Sequence, residues 1–189
     1  MTATRIQSRA RGKEMKKIIV IGCPGSGKTT LSLRLHEALG VPLFHLDAIW
    51  HRADKTHITR DEFDTRLGEL LEGESWIIDG NYSRTLERRI AACDTVILFD
   101  LPREVCLAGA VARIGQRRAD MPWTDTELDP RLAEEIDGFA AKELVQIYAL
   151  LEKYGGEKRV IIFKSREAAE VLLQELLNGK TTNTKENTL

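Results

Sequence analysis

The chain has too few cysteines, and too scattered, to be organised by disulfides. It carries three, Cys23, Cys93 and Cys106, an odd number with no Cys-x-x-Cys pair. With no secretory apolar segment at the start, that usage points to a reducing cytoplasm. Long apolar runs are missing too. None approaches the roughly 18 to 20 residues that cross a bilayer, so no membrane partner is expected. Nor does charge of one sign dominate, since 28 basic residues face 29 acidic ones. A general basic field for a nucleic-acid backbone is therefore absent, which weighs against direct DNA binding. No internal repeat is evident, and the 189 residues, 42% hydrophobic, suffice for one substantial core with a mobile sub-part.

What is present becomes legible at Ile18–Thr30, IIVIGCPGSGKTT. Four β-prone apolar residues run into a glycine-rich loop, and Gly22, Gly27, Lys28 and Thr29 meet the spacing G-x-x-x-x-G-K-(S/T). A dense anion has to be wrapped by backbone N–H groups, and glycines let the backbone come that close. A helix starting near Lys28 would add its free N–H groups and the positive end of its dipole. The loop Gly22, Cys23, Pro24, Gly25, Ser26, Gly27, Lys28, Thr29 and Thr30 is thus expected to hold the phosphates of a nucleotide. Lys28 would reach the β- and γ-phosphates and the Thr29 hydroxyl would help hold Mg²⁺, so ATP and Mg²⁺ are the expected ligands.

Along the chain, residues 1–14 lack apolar periodicity and read as a disordered extension, with a basic nucleic-acid-binding arm as the alternative and Met15 as an alternative start. Leu31, Leu35, Ala38 and Leu39 give a first helix, stopped by Gly40 and Pro42. A strand over Val41–Leu46 ends in Asp47, and 48–58 reads as a loop facing a ligand. Thr59 and Glu62 form a capping box before the stripe Phe63, Leu67, Leu70 and Leu71. Strands at Trp76–Ile78 and Thr95–Phe99 are again followed by acids, Asp79 and Asp100. Pro102 opens a helix that runs to Arg113, Arg117 and Arg118. The irregular stretch 119–131 is the candidate lid, followed by one long helix over Leu132–Leu151, a fifth strand at Val160–Phe163 and a last helix capped by Ser165. Residues 178–189 read as a disordered tail. Alternating strands and helices argue for a parallel sheet covered on both faces, with a functional rim at the strands' carboxyl ends.

Four stretches then carry a likeness. GCPGSGKTT, WIIDGNYSRT, ILFDLP and ARIGQRR resemble, in that order, the motifs of the nucleoside-monophosphate kinases, adenylate kinase in particular. Together with HLD and LLEKYGG they are more closely similar to a bacterial group labelled DNA topology modulation proteins. The likeness implies an α/β fold of the three-layer P-loop NTPase kind, with a five-stranded parallel sheet in the order 2-3-1-4-5 and a helical lid. It covers about 15–177, with an acceptor-binding segment near 47–75 and the lid near 113–139. It further implies that Asp79 orients the metal or its waters, that Arg113 lies near the adenine, and that Arg117 lies on the phosphates. Arg84 would match an arginine for the acceptor's phosphate, although one extra residue separates it from the family's spacing. The family's acceptor motif is absent between Asp47 and Ser75, so AMP is not implied as acceptor. Sugar- and shikimate-type kinases of the same superfamily place an acid against the acceptor hydroxyl where Asp47 stands.

The expected activity is phosphoryl transfer from ATP to a small-molecule acceptor. Lys28, Asp47, Arg113 and Arg117 are the candidate catalytic residues, and Asp47, Trp50, Asn81, Tyr82 and Arg84 the candidate acceptor-binding ones. Thr29 and Asp79 are the candidate metal residues, with Asp100 competing because it too ends a strand. Asp47 could equally cap the segment it opens, Trp50 and Tyr82 could simply pack, and the arginines could form a solvated face. His45, His51 and His57 recur every six residues, a spacing that suits ordinary loop histidines better than a metal site. A nucleotide-dependent regulatory ATPase acting on DNA topology, or a binding module without catalysis, are the alternatives.

Overall fold

The computed structural model describes residues 5–7 and 15–186. Strand β1, Arg5–Gln7, precedes the main run. β2 (Lys17–Gly22) lies between β4 (Trp76–Asp79) and β5 (Thr95–Phe99), and it leads directly into the phosphate loop. β3 (Leu43–His45) flanks β4, β6 (Arg159–Phe163) flanks β5, and these five strands are all parallel. Counted from β2, their order is 2-3-1-4-5, as expected. Helices cover both faces, so the strands must be apolar on both sides. Ile18–Ile21, Ile77, Ile78 and Val96–Phe99 are accordingly buried in one core.

The helices are α1 (Lys28–Leu39), α2 (Leu46–Trp50), α3 (Arg60–Glu72), α4 (Ser83–Ala92), α5 (Arg103–Ala112), α6 (Pro130–Gly138), α7 (Glu143–Tyr154) and α8 (Arg166–Glu186). The Thr59 hydroxyl accepts from the Glu62 N–H at 3.2 Å, closing the predicted cap of α3. Four expectations need correction. The second strand stops at His45, Asp47 sits in the first turn of α2 rather than at the strand's end, and 48–50, expected as loop, complete that helix. The single long helix is two, because the chain turns at Gly138, whose carbonyl accepts from Ala141 and Lys142; this turn lets Phe139 join the core. Arg5–Gln7, inside the expected disordered extension, pairs antiparallel with β6, while the rest of 1–14 lies outside the described residues. The tail expected from Asn178 continues α8 to Glu186, and 187–189 lie outside the described residues. No described helix is long and apolar enough to cross a membrane.

Candidate active site

A cleft of about 1390 Å³ opens where the parallel strands end, between the phosphate loop, the start of α2, the turn after β4 and the segment after α5. Its donor side follows from glycine geometry. Gly22 has φ 141°, and a Cβ there would stand 2.4 Å from the Phe99 carbonyl oxygen. Gly25 has φ 77°, and a Cβ would come within 2.1 Å of the Cys106 carbonyl oxygen. Neither position can take a side chain without moving backbone. Pro24, Gly25, Ser26, Gly27, Lys28, Thr29 and Thr30 line the cleft. Gly22 and Cys23 do not. The Cys23 thiol is buried beside Cys106, and the hydrogen bond between them pushes its pKa up. Lys28 Nζ donates to the Cys23 carbonyl at 2.9 Å, so its ammonium folds back over the loop. The Ser26 hydroxyl is buried with no hydrogen-bond partner. Arg166, which sequence reasoning missed, braces the loop from α8 through the carbonyls of Gly25 (2.7 Å) and Ser26 (3.2 Å).

Two acids line the cleft opposite the loop, Asp79 at the end of β4 and Asp47 in the first turn of α2. Asp79 is buried, and His45 Nδ1 lies 3.1 Å from its Oδ2. Asp47 accepts from the Tyr82 hydroxyl at 2.9 Å. Burial pushes the Asp47 carboxyl above its ordinary value, the Tyr82 hydroxyl partly offsets this, and the charges of Asp79 and Asp120 add to the rise. Asp100 is elsewhere. It accepts from Tyr148 at 2.6 Å and from Lys164, off the cleft wall, which leaves Asp79 as the strand-end carboxylate of this site.

Asn81 lines the cleft, but its amide is committed to the loop. The Gly22 N–H donates to its Oδ1 at 3.0 Å, and its Nδ2 donates to the Gly22 carbonyl at 2.8 Å. The expected acceptor contact is corrected to a brace on the donor side. Arg84 is corrected more fully: both terminal nitrogens bond Asp64 on α3, at 2.7 and 2.6 Å, and the side chain is exposed and off the cleft wall. The arginine that does serve this turn is Arg89, fully buried on α4, which reaches the carbonyls of Gly80, Asn81 and Tyr82. Burial pushes its guanidinium down to about 9, still charged at neutral pH. Trp50 stacks on His57 at 4.5 Å and meets Phe63 and Tyr82 edge-on, so it packs as well as lining the cleft.

Arg113 and Arg117 line the cleft beyond α5. Arg118 instead pairs with Asp120, Nε to Oδ1 at 3.0 Å and Nη2 to Oδ2 at 2.6 Å. Asp120 is buried and accepts from the Thr29 hydroxyl at 3.1 Å. Burial alone would raise its carboxyl, but Arg118 and Thr29 outweigh that and hold it below its usual value. Asp125 takes the Trp123 indole N–H at 3.0 Å, and the Trp123 ring meets His51 edge-on at 5.1 Å. The three histidine side chains meet different partners, Asp79, Trp123 and Trp50, although the backbones of His51 and His57 pair in an antiparallel bridge. They do not form a metal set.

No family model matches the chain. Over 104 residues it is 34% identical to a shikimate kinase of Thermobifida fusca (strain YX), which covers 54% of this chain; the chain thus spans about half, 51%, of that relative's length. Among solved structures it is similar to a shikimate kinase of Acinetobacter baumannii in complex with shikimate, at TM-score 0.57 and 17% identity, over 89% of this chain and 94% of that one. It is also similar to a shikimate kinase of Bacteroides thetaiotaomicron, at TM-score 0.54 and 19% identity, over 87% and 98%. A gluconokinase of Sinorhizobium meliloti 1021 follows at TM-score 0.50 and 18% identity, over 90% and 94%. These likenesses lend no support to the DNA topology modulation group. The fold is that of the shikimate-kinase-like P-loop proteins.

Proposed function

We propose that the chain is a kinase that transfers the γ-phosphoryl group of ATP to a hydroxyl of a small metabolite, with shikimate and gluconate as the first acceptors to test. One observation carries this reading: a raised-pKa carboxylate, Asp47, faces a phosphate loop across a single cleft. Phosphoryl transfer asks the protein for positioning and charge neutralisation, and the residues present answer both. Lys28 is placed to offset charge on the phosphates, and Arg113 and Arg117 stand on the side where the loop faces the segment after α5. Asp47 is placed to orient an acceptor hydroxyl and take its proton. Thr29 and Asp79, a hydroxyl and a buried carboxylate at the same end of the sheet, suit Mg²⁺. When bound, Mg²⁺ supplies charge neutralisation to the phosphate oxygens. The three buried free thiols suit a reducing, cytoplasmic setting.

The test is labelled ATP and Mg²⁺ with shikimate, gluconate, other hydroxylated metabolites and nucleoside monophosphates. Transfer to a hydroxylated metabolite, abolished in Lys28→Ala, is the expected result. Slow hydrolysis alone, accelerated by duplex DNA in a salt-sensitive way, would replace the kinase with a regulatory ATPase.

A further inference from the structure

Arg89 is a charged side chain in an unusual place. It is 0% exposed, and its hydrogen bonds run to three consecutive backbone carbonyls rather than to a carboxylate. The bond to Gly80 is 2.8 Å and that from Nη2 to Tyr82 is 3.2 Å, and the same Nη2 also donates to the Asn81 carbonyl. Its Nε has no partner. A buried guanidinium with an orphaned nitrogen is an expensive way to hold a turn. A turn of ordinary geometry would not need one, but this turn is not ordinary, because Tyr82 adopts φ 39° and ψ 70°, the left-handed region that a bulky residue avoids.

Two of the three residues whose carbonyls Arg89 holds, Asn81 and Tyr82, direct their side chains to different halves of the cleft. Asn81 bonds both backbone groups of Gly22, where the phosphate loop begins. Tyr82 donates to Asp47, on the acceptor side. We infer that Arg89 is a positioning residue that sets the donor loop and the acceptor carboxylate together, by fixing the one turn from which both are braced. It touches no reacting atom. Its action passes through Asn81 to Gly22 and through Tyr82 to Asp47.

The test needs no acceptor, so it can fail or succeed independently of the kinase reading. Two quantities are read: the Kd for the non-hydrolysable analogue AMP-PNP with Mg²⁺, and the Asp47 carboxyl titration followed by carbon-detected NMR without nucleotide. Around Asp47 the charged and titratable groups are Tyr82, Asp79, Asp120, Lys28, His51, Arg113, Arg118 and Glu135, and none of these is altered in the Arg89 variants. Asn81→Ala should weaken AMP-PNP binding and leave the Asp47 titration in place. Tyr82→Phe should raise the Asp47 titration and leave AMP-PNP binding in place. Arg89→Lys and Arg89→Gln, which keep a donor but cannot span three carbonyls, should do both, with Kd rising on the order of tenfold. A folded Arg89 variant that leaves both readouts unchanged, or moves only one, overturns the inference. If neither variant folds, Arg89 is a structural residue and the positioning role is likewise rejected.

Discussion

At the scale of single residues, Asp47 carries a conflict between stability and chemistry. Burial raises its pKa in the folded chain, so the folded state binds the proton more tightly than the unfolded state does. Its contribution is therefore most favourable at low pH and is lost as pH rises above the ordinary carboxylate value and through the folded one. Asp47→Asn keeps an oxygen for the Tyr82 hydroxyl and removes the buried charge. Its melting temperature at neutral pH should rise slightly, its AMP-PNP binding should persist, and its transfer rate should fall by about 10²–10⁴. Unchanged turnover would take Asp47 out of the chemistry. The same carboxyl sets the pH profile: transfer needs it ionised, so the acid limb should lie above that of an ordinary aspartate. Tyr82→Phe, which removes a hydrogen bond to the charged form, should move that limb to still higher pH.

At the scale of elements, the segment after α5 is held down by a short chain of side chains. Asp120 anchors it to Thr29, Arg118 joins Asp120 to Asp125, and Trp123 rests on His51. Asp120→Ala leaves Arg118 half-buried without its closest partner and releases the Thr29 hydroxyl. Limited proteolysis should then cut within 113–131 several times faster than in the parent chain, and Mg²⁺ with AMP-PNP should restore much of the protection. Equal cleavage rates would mean that the segment is held by something other than this anchor. These contacts also explain what the sequence could and could not tell. The phosphate loop, the cap at Thr59 and the strand-end acids are local patterns, written within a few residues of one another. Asn81 meets Gly22 across 59 positions and Asp120 meets Thr29 across 91, and such pairings leave no local period. Arg84 misled because it is near in sequence to a motif it does not serve, whereas Arg89 lies nearly one and a half turns further along α4, about 5 residues on, and faces inward. The break in the helix after Gly138 was equally hidden, since the apolar period of α6 and α7 runs across it.

At the scale of the whole molecule, the cleft draws on both edges of one core, so ligand binding and folding should be tightly linked. β2 supplies the loop, β3 leads to Asp47 in α2, β4 supplies Asp79, and α8 returns Arg166 to the loop's back. A ligand at one hundred times its Kd adds about 2.7 kcal/mol to the folded state. For a chain of this size that corresponds to a rise of about 5–10 °C in melting temperature. Thermal melts with saturating Mg²⁺ and AMP-PNP should show such a shift in the parent chain and little of it in Lys28→Ala. A shift of equal size in both would place the nucleotide somewhere other than this loop.

The left-handed backbone of Tyr82 has one more consequence, which concerns what sequence change the position will tolerate. Glycine or asparagine would sit there more comfortably by about 1 kcal/mol, yet neither can place a phenol on Asp47. Selection for heat resistance alone should therefore replace Tyr82 readily, and selection for turnover should restore it.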